Sequence, residues 1–253
     1  NSGAYETASQ RFAQALATLE LAPDAASRVE LLLGEADAEA AAGHRARALE
    51  LYERAGQLAA ADADLAALVR AALGRSGGAG MEVVIDETAM AMIDRALTLL
   101  GDDAPALRAR LLARLSVALA PTSATPHRAT LVAAALELAG ASGSEVAQAD
   151  ADIAWCHLHA GPSYVTERIE RARRVVAAAA AVGEVRLELL GRRLEVEALL
   201  EAGRFADVDD AVTQYATRAQ LVREPAYTFF APLWRATLAA ARGDDRRYRR
   251  ERA

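Results

Sequence analysis

Apolar residues recur along this chain at the spacing of a single helix face. Val29, Leu32, Leu33, Ala36 and Ala40 follow i, i+3, i+4, i+7 and i+11, the stripe that an amphipathic helix lays against a core. Leu107, Leu111, Leu115 and Ala118 make a second stripe, and Val165, Ile169, Ala172, Val176 and Ala179 a third. Extended over the chain, the criterion predicts about twelve helices, over 5–20, 25–42, 44–61, 62–74, 86–100, 104–120, 126–140, 144–160, 163–181, 184–202, 204–221 and 224–242. Asp86, Thr125 ahead of Pro126, and Ser163 are candidate N-caps, while Gly43, Gly101, Gly161, Gly183, Gly203 and Gly243 stand where helices should stop. From Gly161 onward the stops fall about every twenty residues, a hairpin period of about forty that suits a helical-repeat array. Only "MEVVI", 81–85, reads as a possible strand.

In "GHRARALELYERAGQLAAAD", 43–62, a turn glycine, Gly43, precedes Ala48, Tyr52 and Ala55. These match the turn and second helix of a tetratricopeptide repeat, with small residues where helices touch and an aromatic between them. The first half of that hairpin has Leu32 and Ala36 in place but no aromatic partner, and the hairpin around Gly203 ("EAGRFAD") keeps only the turn. The expected fold is therefore all-α, a right-handed superhelix of degenerate tetratricopeptide-like hairpins. The Gly-rich run "GRSGGAG", 74–80, suggests a joint over 75–85 between helical blocks at 1–74 and 86–253. A phosphate-cradling loop would need a lysine after its glycines, and the chain has no lysine.

Composition sharpens this picture. The sequence is 53% hydrophobic but only 5% aromatic, so its core must be built from Ala, Leu and Val, and the first two favour helix over strand. Asp and Glu number 35 against 29 arginines, a formal charge of −6, which makes phosphate backbones poor default partners. One cysteine, Cys156, excludes an internal disulfide and suits a reducing compartment. No apolar run approaches the ~20 residues of a membrane span, so the expected location is the cytoplasm. Beginning "NSGAYE" and ending "RRYRRERA", the chain reads as a piece of a longer protein.

The densest chemistry is "ADIAWCHLHAGP", 151–162, where Asp152, Cys156 and His159 share one helix face. A structural zinc site wants four ligands from two segments, and no second Cys or His cluster exists, so no metal is expected. "DVDD", 207–210, spells the Asp-x-Asp-Asp signature of class II terpene cyclases, but the aromatic residues that would line a carbocation cavity are scarce. Asp207, Asp209 and Asp210 read better as acids in the first turn of a helix. "ERIERARR", 167–174, reads as a solvated face laced by i, i+3 and i, i+4 pairs, and "RRYRRERA" as the exposed face of a further repeat helix. No catalytic constellation can be assembled, so no enzyme activity is expected. Ligand-binding candidates are the polar and aromatic positions of the second block: Trp155, His159, Arg193, Tyr227 and Trp234. Each of them could equally serve packing.

"LLGDDAPALRARLLARLSVALA" (99–120), "ALGRSGGAG" (72–80) and "REPAYTFFAPLWRATLAAARGD" (223–244) resemble the helical-repeat region of large actinobacterial regulators, the ATP-binding LuxR-type and antibiotic-regulator-type proteins. The resemblance implies a sensing arm that follows a P-loop ATPase module and, in LuxR-type members, precedes a helix-turn-helix DNA reader. It further implies that a small inducer or a protein partner binds the superhelical groove. Nucleotide and DNA would be bound elsewhere in such a protein, so neither cofactor nor nucleic acid is expected here, and a homo-oligomer is possible. Two alternatives stay open: a stand-alone scaffold for protein–protein interaction, and an all-α terpene-cyclase-like enzyme.

Overall fold

Helices begin at nearly constant intervals. The computed structural model describes residues 2–19, 25–77, 85–222 and 225–252. Its first seven helices are α1 (Ser2–Leu19), α2 (Ala25–Ala42), α3 (Arg45–Ala61), α4 (Leu65–Arg75), α5 (Glu87–Leu100), α6 (Pro105–Ala118) and α7 (Thr125–Ser142). Then come α8 (Glu145–Leu158), a 3₁₀ turn (Pro162–Tyr164), α9 (Val165–Val182), α10 (Val185–Glu201), α11 (Phe205–Val222), α12 (Pro225–Thr228), α13 (Phe230–Ala241) and α14 (Asp245–Arg252). No strand occurs among the described residues, and residues 81–84 of the possible strand lie outside them. From Ala25 to Asp245 helices start every twenty residues, with Glu87 displaced by two and α13 an additional start five residues after α12. The forty-residue hairpin period thus begins at α2 rather than near Gly161.

A repeated turn sets that period. The N–H of Gly43 donates to the Ala40 carbonyl and the N–H of His44 to that of Glu39; the same pair of bonds recurs at Gly183, Gly203 and Gly243. This is the Schellman closure, which needs a left-handed residue, and all four glycines have positive φ. Between α3 and α4 the Asp64 N–H makes the equivalent long bond to the Ala59 carbonyl, but the left-handed residue is Ala63, with φ 55°.

Caps correct the sequence reading in two places. Asp86 does cap α5, its carboxylate accepting from Ala89 N at 2.9 Å. Thr125 lies inside α7 and does not cap it; Thr122 Oγ1 instead accepts from Ala124 N at 3.1 Å. Ser163 falls in the 3₁₀ turn, and no side chain caps α9. The helix expected over 224–242 is broken at Phe229, where Pro232 has no N–H to offer the Thr228 carbonyl. "RRYRRERA" lies largely in a helix of its own, α14.

The chain divides into two compact units, Asn1–Ala147 and Gln148–Ala253, with the division inside α8. Of the joint expected at 75–85, residues 78–84 lie outside the described residues; on either side of them α4 and α5 touch, and Arg75 Nη2 meets Asp86 Oδ1 at 3.1 Å. In the first unit each helix packs on its neighbours in sequence, and α2 also touches α4, α4 touches α6 and α3 touches α5. Leu32, Leu51, Leu68, Ile93 and Leu111 are fully buried there. The repeat-signature side chains Ala48, Tyr52 and Ala55 are buried too. Tyr52 donates to Asp37 Oδ1 at 2.6 Å, and its ring passes so close to Gly74 that a Cβ there would lie 2.4 Å from it. In the second unit α9 packs on α10, α10 on α11, α11 on α13 and α13 on α14, around Val175, Leu189, Leu199, Tyr215 and Leu238.

Candidate functional site

With the period known, the chain can be laid against itself. Residues 105–143 align without gaps on 145–183, so α6 matches α8 and α7 matches α9 in both start and length. The framework is kept: Ala109 and Ala149, Leu111 and Ala151, Val132 and Ala172, and Ala139 and Ala179 are all buried apolar pairs. Elsewhere the second hairpin departs from the first. Leu112, Leu115, Leu119, Ala124, Leu131 and Ala134 become Asp152, Trp155, His159, Tyr164, Arg171 and Arg174. Six apolar positions turn aromatic or charged in one hairpin, and hydrophobic burial does not call for that.

The structure brings these six together. Asp152, with a side chain 0% exposed, accepts from Arg171 Nη1 at 2.5 Å and, on both oxygens, from Arg174 Nε at 3.1 Å and Nη2 at 3.2 Å. A carboxylate taken so completely out of water is tolerable only because two guanidinium groups replace its hydration. Arg171 also grips Glu167, and its guanidinium carbon lies 4.2 Å from the centre of the Trp155 ring, in cation–π contact. On the same indole His159 is stacked with centroids 4.1 Å apart. Tyr164 meets Trp155 and His159 edge-on at 5.8 and 4.7 Å. His159 Nδ1 lies 3.0 Å from the Trp155 carbonyl one turn back.

This cluster borders a cavity of about 480 Å³ lined by Ser163, Tyr164, Thr166, Glu167, Glu170, Arg171 and Arg174, among others. Tyr164 is exposed. The lining offers an aromatic face, three hydroxyls, carboxylates and guanidinium edges, a donor set suited to a polar molecule with a flat apolar portion. Among the described residues no group of three His, Cys, Asp or Glu side chains could hold a metal ion. The three residues that share a face in the sequence have other partners: Asp152 is clamped by arginine, and Cys156 directs its thiol at the Arg168 carbonyl, 3.9 Å away. Burial pushes the Cys156 thiol up to about 12.

The five ligand-binding candidates fall into two groups. Trp155 and His159 belong to the α8–α9 cluster. Arg193, Tyr227 and Trp234 lie in a second, interior cluster, all less than a tenth exposed. There Trp234 stacks on Phe230 at 5.1 Å and meets Tyr215 edge-on at 4.9 Å. Tyr215 donates to the Tyr227 carbonyl at 3.0 Å, and burial raises its pKa. Arg193 lies over Phe230 at 5.5 Å, pairs with Glu197 at 3.4 Å and has its Nη2 3.5 Å from His157 Nε2. Glu197 is shifted upward by burial, which Arg193 partly opposes.

"ERIERARR" is less solvated than its alternation suggests. Glu167 and Arg171 form the expected i, i+4 pair, but Arg168 is buried and pairs with Glu201, and Arg173 reaches Glu195 at 2.7 Å. A neighbouring ionic layer joins α10 to α11: buried Glu188 accepts from Arg192 at 2.8 Å and from Arg218 Nε at 2.9 Å. Burial alone would raise the Glu188 pKa, yet the hydrogen bonds from Arg218 and Arg192 hold it below the ordinary carboxylate value. In "DVDD", Asp207 is paired with Arg204 and Asp209 with Arg242 and Arg247. Tyr164, Arg171 and Arg174 were missed as site residues, and the signal that finds them is the forty-residue self-comparison. No protein-family model matches the chain, and no curated protein matches it.

Proposed function

We propose that this chain is a tetratricopeptide-like sensing and interaction arm of a multidomain, ATP-dependent LuxR-type transcription regulator. On this reading its hairpins wind as a right-handed superhelix, and a small inducer or a partner protein binds at the α8–α9 hairpin. The observation that carries the reading is the replacement of six apolar repeat positions by Asp152, Trp155, His159, Tyr164, Arg171 and Arg174 beside a cavity. Functional residues concentrate where a repeat breaks its own rule, because packing alone selects against the change. The regular spacing of helices supports the array, and a resident nucleotide or catalytic group has no part in it.

The test is thermal unfolding of the chain against a panel of sugars, amino acids, nucleosides and ATP. A ligand at ~100 times its Kd adds about 2.7 kcal/mol, a rise of roughly 5–10 °C for a protein of this size. One ligand class should give that rise, Tyr164→Ala should abolish it, and ATP should give none. A rise with ATP, or one indifferent to Tyr164→Ala, refutes the proposal. Capture of a stoichiometric protein partner through surfaces outside the hairpin, with no response to the panel, establishes the scaffold instead.

A further inference from the structure

One wall of the cavity beside the α8–α9 cluster carries two acid–arginine pairs. On α9 Glu167 precedes Arg171, and Glu170 precedes Arg174, each at i, i+4 spacing. A glutamate one turn before its cation is the favourable order for such a pair. The first pair forms: Arg171 gives Nε and Nη2 to Glu167, at 3.0 and 2.8 Å, and Nη1 to Asp152, so each of its nitrogens is engaged. The second does not form. Asp152 draws Nε and Nη2 of Arg174 to itself from inside the fold, and among the described residues neither Arg174 Nη1 nor the Glu170 carboxylate has a partner. Glu170 and Arg174 are both exposed, and both line the cavity with Tyr164, Ser163 and Thr166.

An anion and a cation are thus held apart on one wall, about 6 Å from each other along the helix axis. That pattern selects a ligand. An oxyanion alone meets Arg174 but also the charge of Glu170, and an ammonium alone meets the reverse, whereas a molecule carrying both satisfies both. The exposed ring of Tyr164 offers a flat apolar group a surface to lie on. We infer that the cavity takes an aromatic α-amino acid, with its ammonium on Glu170, its carboxylate on Arg174 Nη1 and its ring against Tyr164. The inference rests on the recognition role proposed above for the α8–α9 hairpin and adds to it the charge pattern of the ligand. Asp152 is then a positioning residue: by holding Arg174 away from Glu170 it keeps the two charges from neutralising each other.

The test is isothermal titration calorimetry of the chain with L-phenylalanine, L-tyrosine and L-tryptophan. The tightest of them is then compared with its two one-charge analogues, the amine that lacks the carboxylate and the propanoate that lacks the amine. Each analogue should bind roughly tenfold or more weakly than its parent. Glu170→Gln should weaken the amino acid and the amine by a similar factor and spare the propanoate, while Arg174→Gln should weaken the amino acid and the propanoate and spare the amine. Circular dichroism should show the Glu170 variant folded, since that side chain has no partner in the fold to lose. No binding by any of the three amino acids, an analogue as tight as its parent, or an amino acid indifferent to Glu170→Gln overturns the inference. If a neutral or singly charged compound of the wider panel binds instead and Tyr164→Ala abolishes its binding, the cavity reading stands and this inference alone falls. A chain that responds to no compound fails both.

Discussion

Replacing Asp152 alone and replacing its whole cluster should have opposite consequences. Breaking a buried ion pair by removing one partner costs about 3–5 kcal/mol, because a charge is left without compensation. Here the residual charges are not equally stranded. Arg171 is 15% exposed but keeps Glu167, and Arg174 is 53% exposed and can turn into water. Asp152→Asn therefore belongs at the low end, about 3 kcal/mol, or roughly 6–12 °C in Tm for a chain of this size. Arg174→Ala leaves the buried carboxylate with Arg171 as its one guanidinium partner and should cost about 1–3 kcal/mol, no more than Asp152→Asn. The triple variant Asp152→Leu, Arg171→Leu, Arg174→Ala restores the side chains of Leu112, Leu131 and Ala134 one period earlier. A buried ionic cluster exchanged for well-packed apolar residues is neutral or stabilising, so the triple variant should fall within about 1 kcal/mol of the parent or exceed it, while losing any response to the ligand. Urea unfolding followed by circular dichroism gives all three values, with Trp155 fluorescence reporting on the site. An Asp152→Asn variant within 0.5 kcal/mol of the parent (about one-sixth of the expected loss) would refute the clamp. A triple variant less stable than Asp152→Asn would refute the repeat register.

Four further outcomes concern single sites. Ala63→Gly should raise stability by about 0.5–1 kcal/mol, since an L-residue pays about 1–2 kcal/mol in the left-handed region and glycine returns part of that as unfolded-chain entropy; Gly183→Ala, at φ 75°, should shift the urea midpoint the other way. Glu188 has a folded pKa below its ordinary 4.5, so its contribution is present above that value and is lost as pH falls through the lower folded value; unfolding measured from neutral into the acid range should show a fall that Glu188→Gln flattens. Cys156 is 1% exposed with its thiol pushed up to about 12, so at pH 8 (about four units lower, where thiolate is scarce) iodoacetamide should label the unfolded chain and leave the native one untouched.

The sequence made the helices legible because their determinants are local. Stripes such as Val29 to Ala40, and glycines such as Gly43 and Gly183, act over a few residues, and the structure has helices and left-handed turns there. Caps were harder to read. Thr125 has the right chemistry but lies one residue too far into α7, and Thr122 closes the turn instead. The α8–α9 site was half legible: Trp155 and His159 stood out as rare residues, whereas Arg171 and Arg174 were hidden in a charge run whose alternation satisfies a surface pattern. What separates them from surface arginines is Asp152, about five turns away in sequence and on another helix, and only tertiary packing brings the three together.

That pairing bears on why the site sits in this hairpin. A cavity edged by arginine must keep its guanidinium groups from collapsing onto whatever acid is near, and long side chains lose entropy when they are held. Asp152 fixes Arg171 and Arg174 from inside the fold, and the indole of Trp155 supports Arg171 from its face. The rim is thereby positioned before any ligand arrives, which lowers the ordering cost of binding. In the preceding hairpin Leu112, Leu131 and Ala134 stand in the corresponding positions, and they could pack a core but orient nothing. Stability does not need the exchange, as the triple variant should show. Pre-orientation of polar groups around a cavity does, and that is the use the proposed recognition role would make of the departure from the repeat.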